Sequence, residues 1–459
     1  SYFPKISFNM FTLDNTECST KITVISSNQY EIWLKKQSQY LKNWCLSSNF
    51  KGQSKKIILV PYDDGKLQEV LIGEGNNSDL SSLSNFSKES KGNYYLDYKY
   101  SNSLEADLYI AWLWGNYRYK KNSKNPKSLL YVKKESDFID YHILNNATSF
   151  ARDLINEPAN TLTPESFKRQ IFKNQQFKGC QLSYLKSANL KKYYPLTHEV
   201  GKASINKPLA IEISNTKINK NDEPIIIIGK GVTFDTGGLN LKPGNSMRYM
   251  KKDMGGAAIA IALFLIIKNY LKKSKIKLII PIAENSVSSN AMRPGDVLKS
   301  FNNKTIEITN TDAEGRLLLA DALTRAELFN PKLIIDFATL TGAARAALGE
   351  DLPAYYTNSN EIAKKVESTV YSKSIWRMPL HDAYMQKMQS DVADIVNASS
   401  DGMAGSITAA LFLKEFLPHK KVDWIHIDTY AWSSSFLNTK GGNLQGLFSM
   451  VEFIKQNYN

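Results

Sequence analysis

The stretch Asn310-Thr311-Asp312-Ala313-Glu314-Gly315-Arg316 sets two carboxylates two residues apart, then a glycine and an arginine, and runs into the helical pattern Leu317 to Leu323. Side chains alternate along extended backbone, so an Asp-x-Glu pair in that conformation points both carboxylates the same way. Anions held so close repel and need a cation between them. Read alone, the stretch could equally be a polar loop capping the next helix, with Asp312 near its positive end. The choice is made upstream. Gly229-Lys230-Gly231-Val232-Thr233-Phe234-Asp235-Thr236-Gly237-Gly238 presents an amine and a carboxylate in a glycine-rich segment, and Lys242 follows. Its glycine spacing is wrong for a phosphate loop. Asp253 then stands at the entrance of another helical pattern, where a cap is again the plain alternative, as a surface lysine is for Lys230.

Asp235, Asp253, Asp312 and Glu314 taken together could not all stay ionised at one place without a cation. Oxygen-rich sites suit Mn²⁺ or Mg²⁺, and Zn²⁺ accepts carboxylates too. Four carboxylates with lysines carry too much negative charge for one ion and about the right amount for two. Such a pair can hold a bridging hydroxide and polarise a carbonyl or phosphoryl oxygen. The chemistry would run without histidine: His142, His198, His381, His419 and His426 are scattered, with no His-Glu-x-x-His spacing.

The elements around these residues are those of an α/β protein. Pro224 to Ile228, Lys277 to Ile282, Leu333 to Phe337 and Trp424 to Ile427 read as buried strands, and Met254 to Tyr270 as a helix opening on Gly255-Gly256. Alternation of this kind predicts a mixed, mostly parallel sheet flanked by helices, with ligands beyond the carboxyl ends of its strands. Glu135 to Asn156 reads as a long helix, ended near Glu157-Pro158. The expected organisation is a smaller N-terminal α/β domain over 1–135, a connecting helix over 136–160 and a larger catalytic domain over 161–459. In the first part, Tyr30 to Trp44 has helical spacing, Lys56 to Pro61 reads as a buried strand, and Asp63-Asp64-Gly65 leads into Val70 to Gly73 as a hairpin. The serine- and asparagine-rich Asn76 to Asn93 reads as a loop, Ser103 to Tyr117 as a helix and Ser128 to Val132 as a strand.

A chain of 459 residues with 42% apolar and 22% charged residues is that of an ordinary globular protein. Its longest apolar run, Ala257 to Ile267, is too short to span a bilayer, so no membrane partner is expected. Ser1-Tyr2-Phe3-Pro4-Lys5 lacks the pattern of an export signal, and Cys18, Cys45 and Cys180 are odd in number and widely spaced. Both features fit a reducing cytoplasm. The net charge of +14 raises nucleic acid as a partner, but lysines scattered in pairs such as Lys133-Lys134 and Lys191-Lys192 read as a solvated surface, and no nucleic-acid motif is present.

The octapeptide Asn310 to Leu317 resembles the signature of the leucine aminopeptidases (cytosol aminopeptidases). The likeness extends over Gly229 to Gly238, Met250 to Met254, Arg293 to Asp296, Ala338 to Ala343, Ser390 to Asp394 and Ile407 to Leu413, and so covers roughly 145–455. The N-terminal part resembles the peptidase B-like branch. The resemblance implies that Lys230, Asp235, Asp253, Asp312 and Glu314 are metal ligands, with Asp235 and Glu314 bridging two ions. Lys230 would bind as the neutral amine, its pKa lowered beside the dications. Lys242 would stay cationic and stabilise the developing gem-diolate, and Arg316 would hold a bicarbonate ion as general base. Met250, Thr339 and Gly342 would line the pocket for the first side chain, with the Leu340 backbone contacting substrate. Asp253 and one metal would bind the free amino group. A homohexamer, a dimer of trimers, is implied as well. Two departures stand out: Arg248 occupies a position where relatives often carry an acidic residue, and Gly441 to Gly446 differs from the common Gly-x-Thr-Gly pattern.

The expected function is therefore a cytoplasmic dinuclear metalloaminopeptidase acting on peptides with a free N-terminus. Its rivals are a nucleic-acid-binding regulator with vestigial or secondary peptidase activity and a two-metal phosphoesterase.

Overall fold

Isoleucine fills Ile225–Gly229 because the strand is covered on both faces, in the middle of a nine-stranded sheet. The computed structural model describes residues 10–13, 19–119, 128–271, 273–418, 421–435, 437 and 439–458. Cys18, His419 and Ser1 to Lys5 lie outside them. Ile225–Gly229 pairs in parallel with Ile276–Asn285 on one side and Leu333–Ala338 on the other, and Leu333–Ala338 pairs in parallel with Asp423–Asp428. Gly231–Asp235 adds in parallel to the carboxyl end of Ile276–Asn285. Antiparallel strands close the edges: Leu209–Ser214 with Gln181–Lys186, and Ala354–Thr357. The sheet is mixed and mostly parallel, as the alternation predicts.

The helix Gly255–Tyr270 packs on this sheet, and from Gly255 to Ile267 every residue is buried. Its opening glycines allow the approach: a Cβ on Gly256 would lie 2.2 Å from Phe337 O. Backbone cannot yield as a flexible side chain can, so Gly256→Ala should destabilise by about 3 kcal/mol or more. Urea unfolding of both proteins measures it, and an unchanged midpoint would contradict the packing described.

The molecule divides into two compact units between Ser149 and Phe150, within the helix Glu135–Asn156; Ser434–Lys440 belongs with the first unit. That unit holds a six-stranded sheet in the order Phe11–Thr12, Ser128–Tyr131, Gly92–Tyr100, Thr20–Ser26, Leu67–Gly75, Ile57–Pro61, parallel but for the final hairpin. The predicted hairpin is present. Ile57–Pro61 is only half buried, however, with Leu59 52% exposed, because the strand sits at the sheet edge. The helical stretch from Tyr30 is two helices, Tyr30–Lys35 and Gln39–Ser47, the second capped by Ser38. The expected loop over 76–93 contains a helix, Ser81–Glu89, whose Ser81, Ser82, Ser84 and Ser87 are buried. Small residues are what this contact needs, since a Cβ on Gly115 of the helix Glu105–Asn116 would lie 2.0 Å from Ser84 O. Among the described residues no helix is long and apolar enough to cross a membrane. Cys45 and Cys180 are free thiols.

Candidate metal centre

The carboxyl ends of the parallel strands deliver the polar residues. Lys230 follows Ile225–Gly229, Asp235 ends Gly231–Asp235, Thr339 follows Leu333–Ala338, and Asn285 and Asp428 end their own strands. Asp253 comes from the 3-10 turn Met250–Met254, and Met250 opens that turn. Asp312 and Glu314 enter on a turn, not on extended backbone: Glu314 is already helical at φ −79°, ψ −31°, as N-cap of Gly315–Ala326. Its side chain makes no capping hydrogen bond, so the turn turns the carboxylates together for another purpose. Gly315 leaves room for this, since a Cβ there would stand 2.3 Å from Lys230 Cε.

One oxygen from each of Asp235, Asp312 and Glu314 lies within 4.8 Å of the others. Asp253 joins through Lys230, whose Nζ is 2.8 Å from Asp253 Oδ2 and 3.2 Å from Glu314 Oε1 and donates to Thr339 O at 2.8 Å. Lys242 Nζ is 3.0 Å from Asp235 Oδ2 and 2.6 Å from Asp312 Oδ1. All five predicted metal-binding side chains and Lys242 thus meet. Arg316 is buried beside them, donating from Nη1 to Asn397 O at 2.6 Å, with Nε left without an acceptor. Leu340 and Gly342 follow Thr339 on the same edge; Met250 and Leu340 are half buried and Gly342 exposed.

Some partners escaped the sequence reading. Asn285 donates from Nδ2 to Asp235 Oδ1 at 2.8 Å, beside Gly237 N at 2.9 Å. Thr339 Oγ1 stands 2.7 Å from Asp253 Oδ1. Asp428 Oδ1 accepts from Leu340 N and Thr341 N, and Oδ2 accepts from Thr341 Oγ1, which fixes the segment after Thr339. Asn397 Oδ1 accepts from Thr309 N and Asn310 N, holding the approach to the signature. A polar residue ending an otherwise apolar strand, as Asn285 and Asp428 do, was the available signal.

Electrostatics test whether the donor set fits divalent cations. The lysines approach at ion-pair distances but not at hydrogen-bonding angles. Asp253 Oδ2, Asp312 Oδ1 and Glu314 Oε1 therefore lack a hydrogen-bond partner, and Glu314 Oε2 has none either. Buried oxygens in that state are costly, and several in one place mark a site built for something more. Burial first, then Asp235, raises Glu314 well above the carboxylate range against the pull of Lys230, and raises Asp312 to about 6 against Lys242. Burial pulls both lysines down, but the carboxylates outweigh it and hold them above their ordinary value. For Lys230 this is the reverse of the lowering expected beside dications, because here only anions surround it. Burial brings the Arg316 guanidinium down to about 10 against Glu314 and Asp428. A set of hard oxygens plus one amine, short of positive charge, fits two divalent ions.

A family model described as "Cytosol aminopeptidase family, catalytic domain" matches residues 149–448, and one described as "M17 aminopeptidase, N-terminal domain" matches 20–132. The chain belongs to the cytosol aminopeptidase family. A "Probable cytosol aminopeptidase" of Methylobacillus flagellatus is 40% identical over 314 residues, 67% of this chain and 62% of that relative. The chain thus spans about three fifths of the length of that curated relative. The cytosol aminopeptidase of Coxiella burnetii, a solved structure, superposes with a TM-score of 0.89 at 33% identity, covering 98% of this chain and 100% of that one. The bottromycin maturation enzyme BotP in complex with Mn gives 0.82 at 27%, covering 95% and 99%. Membership of a cytosol aminopeptidase family supports the hydrolase reading and lends nothing to the nucleic-acid alternative.

Proposed function

We propose that this chain is a metal-dependent aminopeptidase that releases the N-terminal residue of peptides, with residues 161–459 as its catalytic domain, 136–160 as connector and 1–135 as a separate domain. The observation that supports this most is the group of buried carboxylate oxygens without donors, inside the segment matched by the family's catalytic model. Lys230, Asp235, Asp253, Asp312 and Glu314 would hold two divalent ions, of Mn²⁺, Zn²⁺ or Mg²⁺. Such ions supply Lewis-acid polarisation of a carbonyl and activation of water at neutral pH.

The chain's own residues do the rest. Lys242, charged beside the cluster, stabilises negative charge growing on the carbonyl oxygen of the bond being cut, an effect typically worth about 3–4 kcal/mol when one such donor is removed. Asp253 takes the free α-amino group of the substrate. Asn285 and Gly237 N keep Asp235 in one orientation, and Thr339 does so for Asp253. Met250, Thr339 and Gly342 border the first side chain, while the Leu340 backbone aligns the peptide. Arg316 would hold a bicarbonate ion, the general base in a site whose own carboxylates are committed elsewhere. A homohexamer, a dimer of trimers, in the cytoplasm completes the reading.

The test is a panel of aminoacyl amides with added Mn²⁺, Zn²⁺ or Mg²⁺. Cleavage is expected, chelation should remove it, and N-acetylated versions of the same substrates should stay intact. Hydrolysis of a phosphate monoester with no aminoacyl amide cut would overturn the proposal in favour of a phosphoesterase.

A further inference from the structure

One buried cation next to the centre has no role in the scheme above. Lys252, between Met250 and Asp253, is 4% exposed. Among the described residues its ammonium forms no ion pair or hydrogen bond; it packs 4.8 Å from the centroid of the Tyr430 ring. Its immediate electrostatic neighbours are Asp253, Lys230, Arg345 and Lys242, three of them cations. The one anion, Asp253, is already engaged by Thr339 Oγ1 and Lys230 Nζ. A ring face offers a buried ammonium only part of what water or a carboxylate gives. The ammonium is not sealed, unlike the Glu314 oxygens, and keeps an edge open to water.

Arg345 stands over the same ring, its guanidinium 4.5 Å from the Tyr430 centroid. It follows Gly342 by three residues in the helix Gly342–Leu348, about one turn away, and is exposed. Thr341, Ala344, Arg345, Asp428, Thr429 and Tyr430 line one cleft. Asp428 presents no free charge to it, being occupied by Leu340 and Thr341, and Glu350, which also borders the cleft, is exposed to solvent. Two cations on one half-buried tyrosine, beside the residues that border the first side chain, make a place for an anion.

We propose that Lys252 and Arg345, on either flank of the Tyr430 contact, form a subsite for the side-chain carboxylate of an N-terminal glutamate or aspartate, so that acidic first residues are preferred to leucine. The inference rests on the aminopeptidase reading and deepens it. In the metal-loaded state four carboxylates balance two dications, and Lys242, Lys252 and Arg345 remain as net positive charge, which favours an anionic substrate at longer range too. An apolar first side chain would leave the Lys252 ammonium unpaired.

The experiment compares kcat/KM for glutamyl, aspartyl, leucyl and methionyl amides in the metal-loaded full chain and in Lys252→Met, with melting temperatures of both proteins. Wild type should prefer glutamyl to leucyl by about tenfold or more, and Lys252→Met should lower that ratio by about 10- to 100-fold, the range of one charge-assisted hydrogen bond. Glutamate should also inhibit wild type at lower concentration than leucine, and the variant should lose that order. Because methionine replaces an unpaired buried charge, the variant should melt no lower than wild type. A leucyl preference in wild type, or a ratio that Lys252→Met leaves unchanged, overturns the subsite while leaving the aminopeptidase standing. Hydrolysis of none of the four overturns both.

Discussion

Glu314→Ala should cost at least about a thousandfold in kcat/KM toward every aminoacyl amide, and added Mn²⁺ should no longer raise the melting temperature as it does in wild type. Loss of a group that merely orients a ligand typically costs 10–100-fold in metal affinity or activity, so loss of a ligand serving both ions should cost more. Glu314 is 1% exposed, and neither of its oxygens has a hydrogen-bond partner. That combination argues against a structural carboxylate, whose removal would break bonds that hold the fold. Glu314→Gln separates the two cases, since it keeps the shape and removes the charge. Without metal it should melt no lower than wild type, because an uncompensated buried charge has gone. Wild-type turnover in Glu314→Ala would remove the centre from the mechanism altogether.

How much of this was legible depends on what kind of interaction each residue makes. Ile225 to Ile228 and Ile276 to Ile282 were readable because a strand covered on both faces must be apolar at nearly every position. Ser81 to Glu89 was not, because its serines do not mark a hydrophobic stripe; they serve as small surfaces against which Gly115 can lie. Of the centre, the residues at short spacing were readable: Asp312 with Glu314, and Lys230 with Asp235. Their geometry was not, since the alternation argument assumes extended backbone and Glu314 sits in helical backbone. Asn285, Asn397 and Asp428 act across 50 to 88 residues of sequence on single atoms of the site. A lone amide or acid at a strand end carries no periodicity, and only the folded chain reveals what it holds.

The apparent Kd for Mn²⁺ should fall at least about tenfold for each pH unit between 6 and 8, and Lys230→Met should flatten that line by about one decade per unit. A metal ligand must shed its proton, and each proton displaced adds a decade per pH unit. Surrounded only by carboxylates, Lys230 is held protonated above its ordinary range, so binding displaces a proton from it throughout this interval. Glu314, raised well above the carboxylate range, releases another while it remains protonated, and Asp312 adds a third below about 6. Stability of the metal-free protein should follow from the same shifts. A carboxyl raised in the folded state binds its proton more tightly there than in the unfolded chain. The stability this gives is fully present below the ordinary carboxylate range and is lost as pH climbs through about 6 for Asp312 and beyond for Glu314. Lys230, also raised, contributes below its ordinary value of 10.5 and loses that contribution only above it, so it leaves the window from 4 to 8 flat. Metal-free melting temperatures should therefore drop between pH 4 and 7 while the gain from Mn²⁺ grows. Calorimetric titrations with Mn²⁺ at several pH values, in buffers of different ionisation enthalpy, count the protons directly. No proton release at pH 7 would mean that neither Lys230 nor Glu314 is a ligand, and the two-ion centre would have to be abandoned.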